Sequence, residues 1–174
     1  MGYVHDTAMS QFVPPNKIGY SAGTWALAVA SNVWSLDRTA ADAAFTVYVP
    51  IPIPSNSVAL KGAYLVSIEL MYSVATTLCD DFATVEVHKD TLQAAAASGS
   101  GALNTAVAVT TTEDAGHDAA GERGAVDEHR MKVTLTTPEW IDNDAAFHLE
   151  VTVDAAVGTV FKVFGAICNY TLRV

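Results

Sequence analysis

The chain has 174 residues, of which 51% are hydrophobic and only 16% charged, with a mean hydropathy of +0.26. That length is one domain with room for a real core. Nineteen acidic residues against nine basic ones leave a formal charge of −10, which argues against nucleic-acid binding through phosphates and against anionic membranes, since both need clustered Lys and Arg.

Charge is also scarce compared with the roughly 25% of an average soluble domain. Much of the apolar excess is alanine, yet the shortage suggests that neighbouring copies cover some of the surface. The N-terminus, Met1-Gly2-Tyr3-Val4-His5-Asp6, lacks the basic region and apolar core of a secretory signal, so synthesis in a cytoplasm is expected. Residues 1–24 read as an extended arm, broken by Pro14-Pro15-Asn16 and then by Gly19 and Gly23. Such an arm lies over its own sheet or over a neighbour's. Residues 18–36 approach the length of a membrane span, but Ser21, Gly23, Ser31, Asn32 and Ser35 interrupt them.

The first strand signals are residues 25–29 and 33–36, followed by a possible helical turn over 38–44. Phe45, Val47, Val49, Ile51 and Ile53 then alternate on one side of an extended segment. Pro50, Pro52 and Pro54 cannot donate to a ladder and put that segment at a sheet margin. After a turn at 55–57 and Lys61-Gly62 comes the strongest periodicity in the chain: Tyr64, Val66, Ile68, Leu70, Tyr72 and Val74 at every second position. Val85 and Val87 point inward on the next strand, with Glu86 and His88 outward. Residues 94–101 are an Ala/Ser/Gly excursion, and 105–112 resume as a Thr/Val strand.

Residues 113–129 read as an exposed loop rich in acid and glycine. Strands follow at 131–136, ended by Pro138, and at 147–153, where Phe147, Leu149, Val151 and Val153 oppose His148, Glu150, Thr152 and Asp154. The last strand, 159–172, carries bulk on both faces. Val160, Phe164, Cys168 and Tyr170 lie on one; Phe161, Val163 and Ile167 lie on the other. Such a strand is central and covered twice, by the arm or by another subunit. The whole predicts an all-β fold: one antiparallel two-sheet sandwich over 25–174 with about eight or nine strands, jelly-roll-like or Ig-like in order.

No catalytic pattern rides on this scaffold. There is no Gly-x-Ser-x-Gly elbow and no glycine-rich phosphate loop, so no enzyme is expected. His88 and His148 face outward on different strands and meet only if the register allows it. Asp114, His117, Asp118, Asp127 and His129 could hold a divalent cation, but they lack calcium-loop spacing; a solvated loop is the plainer reading. Trp140, at a strand end after Pro138-Glu139, could stack on a sugar ring or serve as a packing anchor. Cys79 and Cys168 are too few for a disulfide scaffold, and whether they pair is left open.

Taken in order, the Pro-alternating 49–54 segment, the Lys61-Gly62-Ala63 turn, the 64–74 strand and the 85–89 strand form one recognisable series. The Thr137-Pro138-Glu139-Trp140-Ile141 corner and the 147–153 and 163–170 strands complete it. Over roughly residues 45–172 this series resembles small β-sandwich structural proteins of tailed phages, of the capsid-decoration or tail-associated type. The resemblance implies a virion location, no enzyme and no cofactor. It also implies symmetric multimers on a virion surface; taken with the composition, a trimer or larger seated on a capsid or tail protein is expected. Scarce charge and an extended arm agree with such a subunit. The expected core or interface anchors are Trp25, Trp34, Phe161, Val163, Phe164 and Ile167. The rival reading is a carbohydrate- or cation-binding sandwich using Trp140 and the 113–129 loop.

Overall fold

The computed structural model describes residues 5–54, 62–92, 104–142 and 144–173; the turn expected at 55–57 and the 94–101 excursion lie outside them. Two antiparallel sheets pack face to face as an all-β sandwich. One contains β3 (Trp25–Ala30), β4 (Val33–Arg38), β12 (Val160–Arg173), β6 (Ala63–Ala75), β10 (Asp127–Ile141) and β9 (Thr111–Glu113), in that order, with β1 (Asp6–Val13) also paired to β12. The other runs β2 (Gly19–Tyr20), β5 (Ala43–Pro50), β11 (Ala145–Ala155), β7 (Cys79–Leu92), β8 (Asn104–Val109).

Setting aside β1 to β3 and the short β9, eight main strands remain. The last lies beside the first, and the next-to-last beside the second. This interleaving is the jelly-roll order and sets aside the Ig-like one. The expected strand count was short because β1, the two-residue β2 and the three-residue β9 have too little pattern to read.

The core follows from alternation where alternation is clean. Val47 and Val49 of β5, Val85 and Val87 of β7, and Leu149, Val151 and Val153 of β11 are buried against Leu70, Met131, Val133 and Val163 of the facing sheet. Burying each such side chain stabilises the fold by roughly 1.5–3 kcal/mol. At one end an aromatic nest surrounds Phe161. Its ring centroid lies 5.1 Å from Phe45, 5.4 Å from Tyr72, 6.4 Å from Phe82 and 6.5 Å from Trp25. Arg38, only 1% exposed, closes this end with its guanidinium 4.5 Å above the Phe45 ring, donating to the carbonyls of Ala41 and Ala43. No helical turn forms over 38–44; β4 ends and β5 begins there.

Two bulges correct the expected faces. In the β6–β12 ladder Asn169 opposes Ser67 and Tyr170 opposes Leu65, so Val66 has no partner. The alternation along β6 therefore changes phase: Ile68, Leu70, Tyr72 and Val74 face the core, but so does Leu65, while Tyr64 and Val66 are half-buried outside. In β12 the unpaired residue is Phe164. Phe161 and Val163 point inward before it, and Ala166, Cys168 and Tyr170 after it. Phe164 and Ile167 are left half-buried on the outer side. A bulge adds one residue to one strand and switches the face of every residue beyond it.

Residues 5–24 are engaged at home. All eight residues of β1 pair with β12, a 3-10 turn at Pro15–Lys17 buries Pro15, and β2 pairs with β5. The segment thus crosses from one sheet to the other. Its landing point is Gly165, whose φ of +135° suits glycine; a Cβ there would lie 2.7 Å from both the Phe12 ring and the Val13 carbonyl oxygen.

Candidate functional site

Three places on this scaffold gather side chains that could act. The first is the β3–β4 hairpin at the rim of the seven-stranded sheet. Its register is unbroken from Trp25↔Arg38 to Ala30↔Val33. A two-residue turn closes it, with Ser31 and Asn32 at φ 51° and 65°, the left-handed pair a tight hairpin requires. Only Leu36 to Arg38 of β4 pair with β12, so the distal half projects past the sheet. Trp25, Leu27 and Val29 share a face with Trp34 and Leu36 across the ladder. Near the base this face is core: Leu36 is buried, and Trp25 stacks on Tyr20 and meets Phe45 and Phe161 edge-on. Beyond the base it is bare: Leu27 is 51%, Val29 72% and Trp34 42% exposed, and Val33 is 50% exposed on the other side. No residue from 18 to 36 is charged.

Of the six expected anchors, then, the structure separates two kinds. Phe161 and Val163 are wholly buried in the sandwich core and are unavailable to a partner. Trp25 anchors the hairpin base. Trp34 stands on the surface, and Phe164 and Ile167 are partly accessible on the outer face of β12.

The second place is the outer face of the five-stranded sheet. The β7–β11 register sets His88 opposite His148 and Glu86 opposite Glu150. The imidazoles stack at 5.2 Å and 14°, and His148 Nδ1 lies 2.8 Å from Asp90. His88 Nε2 lies 3.2 Å from Glu86 and 3.6 Å from Glu150, without the alignment of a hydrogen bond to either. Carboxylates directly opposed across a ladder repel, and the His88 ring lies close to both. Which outward residues meet was a matter of register, so the sequence placed these histidines on the right face without pairing them.

The third place is the 113–129 segment, an exposed cap anchored to the sandwich by the buried Arg123 and Gly124. It contains one helical turn, α1 (Ala120–Arg123). Arg123 is buried over the Phe82 ring, 5.7 Å from its centroid, and donates to the carbonyls of Phe82 and His117. Tyr72 donates to the Arg123 carbonyl, and the Cys79 N–H donates to Gly124. Asp114 accepts from the backbone N–H groups of Lys132 and Gly116. Burial alone works against its ionisation, but these bonds and His117 outweigh burial and hold its carboxyl below the usual range.

The two histidines of the cap form a relay. His117 Nδ1 lies 2.7 Å from Asp114, His117 Nε2 lies 3.2 Å from His129 Nδ1, and His129 Nε2 lies 2.9 Å from the Ala125 carbonyl oxygen. Which ring nitrogen donates in each contact is set by the histidine tautomers, since the terminal carboxylate and carbonyl can only accept. His129 also stacks on Tyr72 at 4.7 Å and 12°.

These contacts occupy the nitrogens that a cation would need. Of the residues expected to hold one, Asp114, His117 and His129 come together, while Asp118 and Asp127 stay exposed and outside the relay. Among the described residues no group of three or more His, Cys, Asp or Glu is arranged to hold a metal ion. Trp140 is half-buried; its ring lies where a Cβ of Gly62 would be and meets Tyr64 edge-on at 4.9 Å. Cys79 and Cys168 are buried free thiols, raised by burial to about 11 and about 12, so neither offers a thiolate nucleophile near neutrality. No helix among the described residues is long and apolar enough to cross a membrane.

No protein-family model matches the chain, and no curated protein is similar to it in sequence.

Proposed function

We propose that this protein is a non-enzymatic structural subunit that works by assembling with copies of itself, as a trimer or larger. In the setting implied by the phage-like series of strands, that is a virion subunit of the capsid-decoration or tail-associated type, seated on a capsid or tail protein. The observation that carries the reading is the β3–β4 hairpin: Leu27, Val29, Val33 and Trp34 stand in solvent, beyond the edge of the sheet that supports their base. Single exposed apolar residues are ordinary on a monomer, but Leu27, Val29 and Trp34 together on one face of a charge-free projection, with Val33 on the other, mark a contact surface. The jelly-roll order adds support by analogy, since capsid domains are among its users.

Of the two courses expected of the arm, its own sheet or a neighbour's, the described residues follow the first, so association falls to the hairpin and to the outer side of β12, where Phe164 and Ile167 are partly accessible. Multi-angle light scattering at high micromolar concentration tests the reading. A mass of three or more chains is expected; a monomer overturns it.

A further inference from the structure

We infer that β3 is a self-pairing edge: β3 of one copy docks antiparallel against β3 of a second, about a two-fold axis near Leu27. The inference rests on the assembly reading and specifies one of its contacts. β3 ends its sheet, and among the described residues no strand pairs with its far side. In a hairpin with a two-residue turn the flanking residues form the bonded pair, here Ala30 and Val33. Alternation then turns Ala26, Ala28 and Ala30 toward β4. The Thr39 N–H to Thr24 carbonyl bond fits the same phase. The N–H and C=O groups of Trp25, Leu27 and Val29 point outward.

Natural edges are guarded by charge, proline, bulges or brevity. β2 and β9 are two and three residues long. β3 has six residues, Trp-Ala-Leu-Ala-Val-Ala, with no charge, no proline and no register shift. The occupant is a second copy for two reasons. An axis at Leu27 sets Leu27 against Leu27, Val29 against Trp25, and Ala28 against Ala26, bulk to bulk and small to small. Three outward residues per copy then give about six backbone hydrogen bonds. Moreover, copies carrying −10 each repel wherever carboxylates meet. Residues 18–36 bring none, and Asp37 at the hairpin base is paired with Lys162 at 3.0 Å.

The test is Leu27→Pro in the full chain. Proline there removes an outward N–H and leaves the bonds to β4 intact, a placement edge strands tolerate. Sedimentation equilibrium of wild type and variant should show the self-association constant weakened about a hundredfold, with an unchanged circular dichroism spectrum. Val29→Lys, which guards the edge by charge, should do the same and serves if the proline variant fails to fold. If the wild type assembles and neither variant changes its mass, β3 pairing is wrong while the assembly reading stands. A monomeric wild type overturns both. Among the described residues the other uncharged edge of comparable length is β8, with Val107 63% exposed. If Val107→Lys also disrupts assembly, the contact is β3 on β8 of a neighbour and the two-fold form is overturned.

Discussion

Phe161→Ala separates core from contact surface. Phe161 is wholly buried, with four aromatic neighbours contributed by β3, β5, β6 and β7. Those neighbours belong to both sheets, so the hole left by the ring cannot be closed by moving one element. Phe→Ala in a core that relaxes only partly costs about 3–5 kcal/mol. For a domain of this size each kcal/mol moves the melting temperature by about 2–4 °C, so a drop of about 6–20 °C is expected. Trp34→Ala, on an exposed hairpin position, should shift unfolding by no more than about 0.5 kcal/mol.

Calorimetry and urea unfolding of both variants and the wild type, at a concentration low enough to keep all three monomeric, make the comparison, because association raises apparent stability by mass action. Phe161→Leu should fall between, since it refills part of the volume. A loss of under about 1 kcal/mol for Phe161→Ala would refute the aromatic nest as a closed core. It would also return Phe161 to the surface on which the sequence alone could have put it.

Gly165→Ala should destabilise by about 1–3 kcal/mol from the left-handed backbone alone, and more because the Cβ meets the Val13 carbonyl, which is backbone and cannot step aside; limited proteolysis should then cut within β1 first. Asp114 and Glu69 both titrate below the usual carboxylate range. For Glu69, burial opposes this, and the Arg130 and Asn169 bonds overcome it. Their contribution is therefore present above the unfolded pKa of about 4 and disappears as pH falls through the lower folded values. Asp114→Asn and Glu69→Gln should each flatten the acid limb of a stability-versus-pH curve; an unchanged limb would contradict the assignment. Cys79 and Cys168, raised to about 11 and about 12, should ignore a disulfide thiol reagent at pH 8 and react only on unfolding. Rapid labelling of the native chain would count against their burial.

What could be read from sequence depended on whether one phase of an alternation was plainly polar. β11 sets Phe147, Leu149, Val151 and Val153 against His148, Glu150, Thr152 and Asp154. Only one assignment of faces buries the first set, and the fold adopts it. β6 and β12 offer no such choice. Leu65 beside Val66, and Val163 beside Phe164, are apolar in both phases, so a bulge costs little and leaves no compositional trace. The cap at 113–129 was illegible for another reason. Its Gly, Asp and Glu content resembles any surface loop, whereas its order comes from Arg123 reaching the Phe82 carbonyl and Tyr72 reaching the Arg123 carbonyl. Those partners lie about forty to fifty residues away and are brought close only once both sheets have formed. The hairpin's exposure was half-legible: the absence of charge over 18–36 pointed to contact, but only the end of the β4–β12 ladder shows which part stands free.

Salt decides whether apolar edges or ion pairs hold copies together. Of the nine cations, Arg38 and Arg123 are buried, and Lys89, Arg130 and Lys162 are paired within the chain to Glu139, Glu69 and Asp37. Four remain, Lys17, Lys61, Lys132 and Arg173, against nineteen acids in the chain, so the electrostatic work of bringing two −10 chains together is repulsive. Raising salt from 0.1 M to 1 M shortens the screening length from about 10 Å to about 3 Å. The repulsion then fades, while the burial of Leu27, Val29 and Trp34 does not. Association followed by light scattering should tighten as sodium chloride rises across that range. If it loosens instead, charged groups on one copy are meeting opposite charges on the next, and the hairpin is not the surface on which the copies join.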